Sequence, residues 1–197
     1  MTQAQQPLQI VVIAGPNGAG KSTLAPFLLR DRLSVSEYVN ADTIAAGLSA
    51  FHPEGAALEA GRMMLQRLHE LVMRRVTFAF ETTLATRSYA GWLRRLCAEG
   101  YDFDLVFLWL RTPEVAILRV QDRVRMGGHN VPEETVRRRY YKGIKNFFTL
   151  YQELATNWVV YDHTISSSPL LIAAGEGKTR LRVFEQELWA RFCEAGR

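Results

Sequence analysis

Three features of the sequence predict an α/β fold with a mainly parallel, five-stranded sheet flanked by helices. Apolar strand-like runs alternate with helical segments along the chain. The first run, LQIVVIAG (8–15), is almost continuously apolar and rich in β-branched residues, as expected of a central strand covered on both faces. It leads directly into GPNGAGKST (15–23), which matches G-x-x-x-x-G-K-S/T at every fixed position. That motif carries a strand into a helix in P-loop NTPases, so the P-loop NTPase fold is expected.

The remaining elements follow in order. EYVN (37–40), TFAFE (77–81), DLVFLWL (104–110) and WVVYD (158–162) read as the other four strands, and LLIAAG near the C-terminus as an edge strand. Helices are expected around 21–30, 54–75, 87–99, 113–126 and 133–154, with a last one near 183–195. In 113–126, Ile117, Val120 and Val124 form an apolar stripe, while Arg119 and Arg123 share the opposite face at i, i+4. In 133–154 the stripe is Val136, Tyr140, Ile144, Phe147, Tyr151 and Leu154, with Arg139 and Asn146 along its edge.

Composition bounds the class. With 197 residues, 48% hydrophobic and 22% charged, the chain is expected to form one domain over 1–197. No apolar run approaches bilayer-spanning length, and MTQAQQPLQ lacks the regions of a signal peptide, so a soluble cytoplasmic protein without a membrane partner is expected. Cys97 and Cys193 have no metal-ligand spacing and read as buried thiols. The net charge of +4 is concentrated: nine Lys or Arg face four acids between Arg111 and Lys145, against fifteen and sixteen elsewhere. An anionic ligand is expected there.

The motifs suggest which one. Gly15, Pro16, Asn17, Gly18, Ala19, Gly20, Lys21, Ser22 and Thr23 would cradle the phosphates of ATP, with Lys21 at the β- and γ-phosphates and Ser22 on Mg²⁺. In NADTI (40–44), Asp42 stands where a strand end meets the ligand crevice; it is either a base for a substrate hydroxyl or a helix cap. Glu81, ending the apolar run FAFE, would hold Mg²⁺ through water or bind substrate hydroxyls. The Arg-rich segment reads as a helical lid over about 113–146, with the glycines of MGGHNVP as its hinge and His129 as a donor to an anion. Its arginines would stabilise a transferring phosphoryl group. A small-molecule kinase leads; the alternatives are an ATP-binding regulatory protein without such an acceptor, and a polynucleotide 5′-hydroxyl kinase. The short basic tract and absence of a separate nucleic-acid module disfavour the latter.

Taken together, GPNGAGKST, NADTI, FETTLA and RVQDRVRMGGHNVPEETVRRRY resemble the zeta-toxin family of P-loop kinases, in the branch often labelled predicted ABC-type ATPases. The resemblance implies ATP- and Mg²⁺-dependent phosphorylation of a nucleotide sugar such as UDP-N-acetylglucosamine, and a separate antitoxin protein as partner. It implies that Lys21 binds phosphate, that Asp42 is the base, and that Glu81 and Thr83 contact substrate, with Asn40 beside them. Face and spacing select Arg123 and Arg139 as the catalytic lid arginines and Arg119 as an ATP contact. YDHT (161–164) departs from the Asn-Ser pair expected at that strand end, near the adenine.

Overall fold

The computed structural model describes residues 7–33, 35–49, 55–128, 130–165 and 168–197. Its centre is β1 (Leu8–Ala14), whose residues Ile10 to Ala14 are wholly buried. β2 (Glu37–Val39), β3 (Phe78–Thr82), β4 (Tyr101–Trp109) and β5 (Asn157–Asp162) join it as parallel neighbours. The expected five parallel strands are present, but the sheet has seven strands among the described residues. β6 (Leu170–Glu176) pairs antiparallel with β5, and β7 (Arg180–Val183) antiparallel with β6. The LLIAAG strand is therefore internal, and the true edge is β7, in a stretch where the sequence placed the approach to the last helix. β7 escaped notice because it is only four residues long: Leu181 and Val183 alternate with arginines, too short a run to mark a strand.

The strand order is β2-β3-β1-β4-β5-β6-β7. Chain order reverses at β1, which opens a crevice at its carboxyl end. Helices cover both faces. α1 (Lys21–Pro26) continues into a π-helical stretch, Phe27–Arg32. α2 (Ala41–Leu48) begins at Asn40, whose Oδ1 accepts from the Asp42 and Thr43 amides. The cap is thus Asn40 and not Asp42. α3 (Ala57–Met73) buries Ala60, Met64, Leu68 and Leu71, one face of a 3.6-residue period. α4 (Ser88–Ala98) follows β3. Both cysteines are only partly buried.

α5 (Pro113–Arg125) starts with Thr112 capping the Val115 amide and Pro113 in the first turn. It buries Ala116, Ile117 and Val120, while Val124, expected in the stripe and one residue from the helix end, is 38% exposed. α6 (Glu133–Asn146) runs through the π-helical Phe147–Tyr151 into α7 (Gln152–Leu154). It is tied to β4 by Tyr140, which accepts from Trp109 Nε1 at 3.0 Å and donates to the Leu110 carbonyl at 2.7 Å. Asn146 is buried and not at the edge of the stripe; it donates to the Leu84 carbonyl at 2.7 Å. The Arg-rich helix pair is therefore one whose second member is built into the core. α8 (Gln186–Ala195) closes that face through Phe192. Among the described residues, no helix is long and apolar enough to cross a membrane.

Gly143 marks where α6 crosses the segment after β3. A Cβ there would stand 2.4 Å from the Thr83 carbonyl oxygen. Gly→Ala in a helix ordinarily stabilises by about 0.5–1 kcal/mol, but overpacking costs about 1–3 kcal/mol. Gly143→Ala is expected to lower the unfolding free energy by about 1 kcal/mol or more in urea titrations.

Candidate active site

The carboxyl ends of β1, β2 and β3 and the helices α5 and α6 enclose a cleft of about 760 Å³. Its floor is the loop from Gly15 into α1. Gly20 there has φ of +80°, and a Cβ would lie 2.7 Å from the His163 ring, so the position requires glycine twice over. Lys21 donates from Nζ to the Gly15 and Pro16 carbonyls at 3.0 and 2.9 Å. Burial pushes its ammonium below the ordinary lysine range, against the attraction of Glu81 and Asp42 and with a further push from Arg123 and Arg139.

Beside it lies a polar network joining three elements. Ser22 donates to Glu81 Oε2 at 3.0 Å, Tyr38 donates to Glu81 Oε1, and Asn40 Nδ2 donates to Ser22 Oγ at 3.1 Å. Each carboxylate oxygen of Glu81 thus has a donor. Asn40 is occupied at both ends, as helix cap and as donor to Ser22, so the geometry shows it orienting the cleft wall. Tyr38 was not singled out in the sequence. Its signal is register: on β2 it lies two residues before Asn40, and its partner on β3, Ala79, is two residues before Glu81. Burial and the bond to Glu81 push its phenol well above the ordinary tyrosine range.

The Asp42 carboxylate is 60% exposed and lies 4.0 Å from Arg123 of α5. Arg139 is half-buried in the cleft, its affinity for its proton lowered by burial and then by neighbouring Arg138. Arg119 turns to the loop, donating to the Gly18 carbonyl at 3.3 Å and to the Thr164 carbonyl at 2.9 Å. Asn17, Thr23 and Thr83 also line the cleft. Thr83 faces it from the turn after β3, where its hydroxyl oxygen accepts from the Ala85 amide at 3.5 Å. Lys21, Asp42, Glu81, Thr83, Arg119, Arg123 and Arg139, chosen from the sequence, thus meet in one place. His129 lies outside the described residues.

A parallel β2-β3-β1-β4-β5 core with a glycine-rich loop leading from β1 into a helix defines the P-loop kinase class. Within that class the chain belongs to the zeta toxin family, whose model matches residues 1–169. It is 28% identical over 130 residues to an uncharacterized protein of Haemophilus influenzae, a match covering 66% of this chain and 91% of that one. Among solved structures, a chain of the AvrRxo1-ORF1:AvrRxo1-ORF2 complex with sulphate ions superposes with a TM-score of 0.76 at 15% identity, over 97% of this chain. The match spans 65% of that chain's length. A chain of the PezAT chromosomal toxin-antitoxin system of Streptococcus pneumoniae gives 0.65 at 14% identity, covering 96% of this chain and 79% of that one. A gluconokinase of Sinorhizobium meliloti gives 0.51 at 16%, covering 96% and 94%. At these identities the superpositions establish the shared fold.

If the loop binds phosphate through its backbone amides, a side chain at residue 20 must break it. Gly20→Ala is expected to weaken pyrophosphate binding at least about tenfold in calorimetry, since a non-glycine residue at this φ and contact distance shifts the loop.

Proposed function

We propose that the protein is an ATP-dependent small-molecule kinase that transfers the γ-phosphate to a hydroxyl of a nucleotide sugar, UDP-N-acetylglucosamine being the first candidate. The observation that carries this reading is the exposed Asp42 carboxylate, sharing a cleft with Lys21 and backed by Arg123 and Arg139. A carboxylate so exposed can be reached by the hydroxyl of an acceptor and take its proton.

Gly15 to Thr23 cradle the triphosphate, and Lys21 leaves its loop carbonyls for the β- and γ-phosphate oxygens. The Ser22 hydroxyl and Glu81 carboxylate form a small set of hard oxygen donors, which fits a hard cation that keeps most of its waters. They would hold Mg²⁺, which when bound neutralises phosphate charge. Asp42 accepts the acceptor's hydroxyl proton, the freed oxygen bonds to the γ-phosphorus, and the bond from that phosphorus to the bridging oxygen breaks to leave ADP. Arg123 and Arg139 stabilise charge on the transferring group, and Thr83 positions the acceptor. Arg119 stands on the nucleotide side, between the P-loop and the strand-end loop of β5. The lid of this reading is the α5 end and the connection to α6, on one domain over the whole chain. A cytoplasmic location and a separate antitoxin protein complete it, the latter in keeping with the toxin-antitoxin system to which a similar structure belongs.

Asp42→Asn tests the reading. Labelled phosphate transfer from ATP to nucleotide sugars is expected to fall about 10²–10⁴-fold, with ATP affinity held within about threefold, because the Asp42 amide bonds to Asn40 and its carboxylate acts on Lys21 only through its charge. Equal transfer by the variant, or none by the native protein at saturating ATP, would contradict it.

A further inference from the structure

The segment Asp162-His163-Thr164 has no step in the reaction above, yet it is densely hydrogen-bonded. The Asp162 side chain is 3% exposed and pairs with Arg111 Nε at 2.8 Å. It also accepts from the Thr164 amide at 2.9 Å and the Thr164 hydroxyl at 2.5 Å. The His163 amide donates to the Trp109 carbonyl at 2.8 Å, and the Arg111 amide to Thr164 Oγ1 at 3.0 Å. The segment is thereby fixed to the ends of β4 and β5.

From this base the buried His163 ring reaches the P-loop. Its Nδ1 lies 2.7 Å from the Ala19 carbonyl oxygen, and its edge lies against Gly20. A carbonyl can only accept, so Nδ1 carries the hydrogen in this contact. In a planar trans peptide the C=O and the following N–H point in opposite directions. Drawing the Ala19 oxygen towards His163 therefore turns the Gly20 N–H the other way, and Gly20 lines the cleft. Arg119 adds a second tie by bridging the Gly18 and Thr164 carbonyls.

We propose that His163 is a positioning residue for phosphate binding: its Nδ1–H holds the Ala19–Gly20 peptide so that the Gly20 amide faces the anion. The nucleotide base is not its partner, since the residue is 8% exposed and its Nδ1 is committed to the loop. This rests on the reading of the loop as a phosphate site, but not on any acceptor.

The experiment compares native protein with His163→Phe and His163→Leu, two donor-free variants of different size, and with His163→Asn, whose Nδ2 is as many bonds from the backbone as Nδ1. Pyrophosphate binding is measured by calorimetry and adenosine binding by ligand-observed NMR. Both donor-free variants are expected to lose about tenfold in pyrophosphate affinity, as for a lost hydrogen bond to a buried carbonyl. His163→Asn is expected to recover to within about threefold, and adenosine binding to stay within about twofold throughout. The proposal is overturned if a folded donor-free variant binds pyrophosphate as the native protein does, if adenosine binding falls in parallel, or if the native protein binds no pyrophosphate. Failure of phosphate transfer to an acceptor would leave these results standing, because no acceptor is present.

Discussion

A half-buried lysine ammonium held by two loop carbonyls at the carboxyl end of the central strand is the constraint around which the rest is arranged. Burial works against the charge of Lys21, and two loop carbonyls with the carboxylates Glu81 and Asp42 work in its favour. Those carbonyls turn inward only because the loop bends at glycines, and the carboxylates arrive only because β2 and β3 stack beside β1 in parallel register. The sheet order thus decides where charge can be tolerated, and the tolerated charge makes the anion site.

The two carboxylates are set up differently. Glu81 is half-buried with a donor on each oxygen, while Asp42 projects into solvent beside Arg123. One is held by its neighbours and the other is open to solvent, the difference on which the proposed division of roles rests. α6 links this chemistry to the core. Tyr140 and Asn146 fasten it, and Gly143 lets it press on the Thr83 backbone, so Arg139 is delivered from a firmly packed helix.

Much of this was legible in the sequence because the signals were redundant. β1 announced itself by a continuous apolar run and by the motif that follows it, and Asp42 and Glu81 by lying just past strand-like runs. Other parts had no such signal. β7 is short and exposed, and its two apolar residues are too few to show a period. Asp42 could be read as the cap of α2 because capping is decided by backbone geometry, and it is Asn40 that has the extended backbone of a cap. Tyr38 and His163 act through residues distant in sequence, and only strand register and loop packing bring them to Glu81 and Ala19. The helical period correctly gave the buried face of α6 but not its depth, which is why Asn146 was placed at an edge.

The central claim is that this cleft moves phosphate to an alcohol and not simply to water. The most direct measurement is ³¹P NMR of the protein incubated with ATP, Mg²⁺ and UDP-N-acetylglucosamine, with the other nucleotide sugars in parallel. The account predicts a new phosphomonoester resonance growing with ADP in equal amounts. ADP accompanied only by inorganic phosphate, with every acceptor, would contradict it.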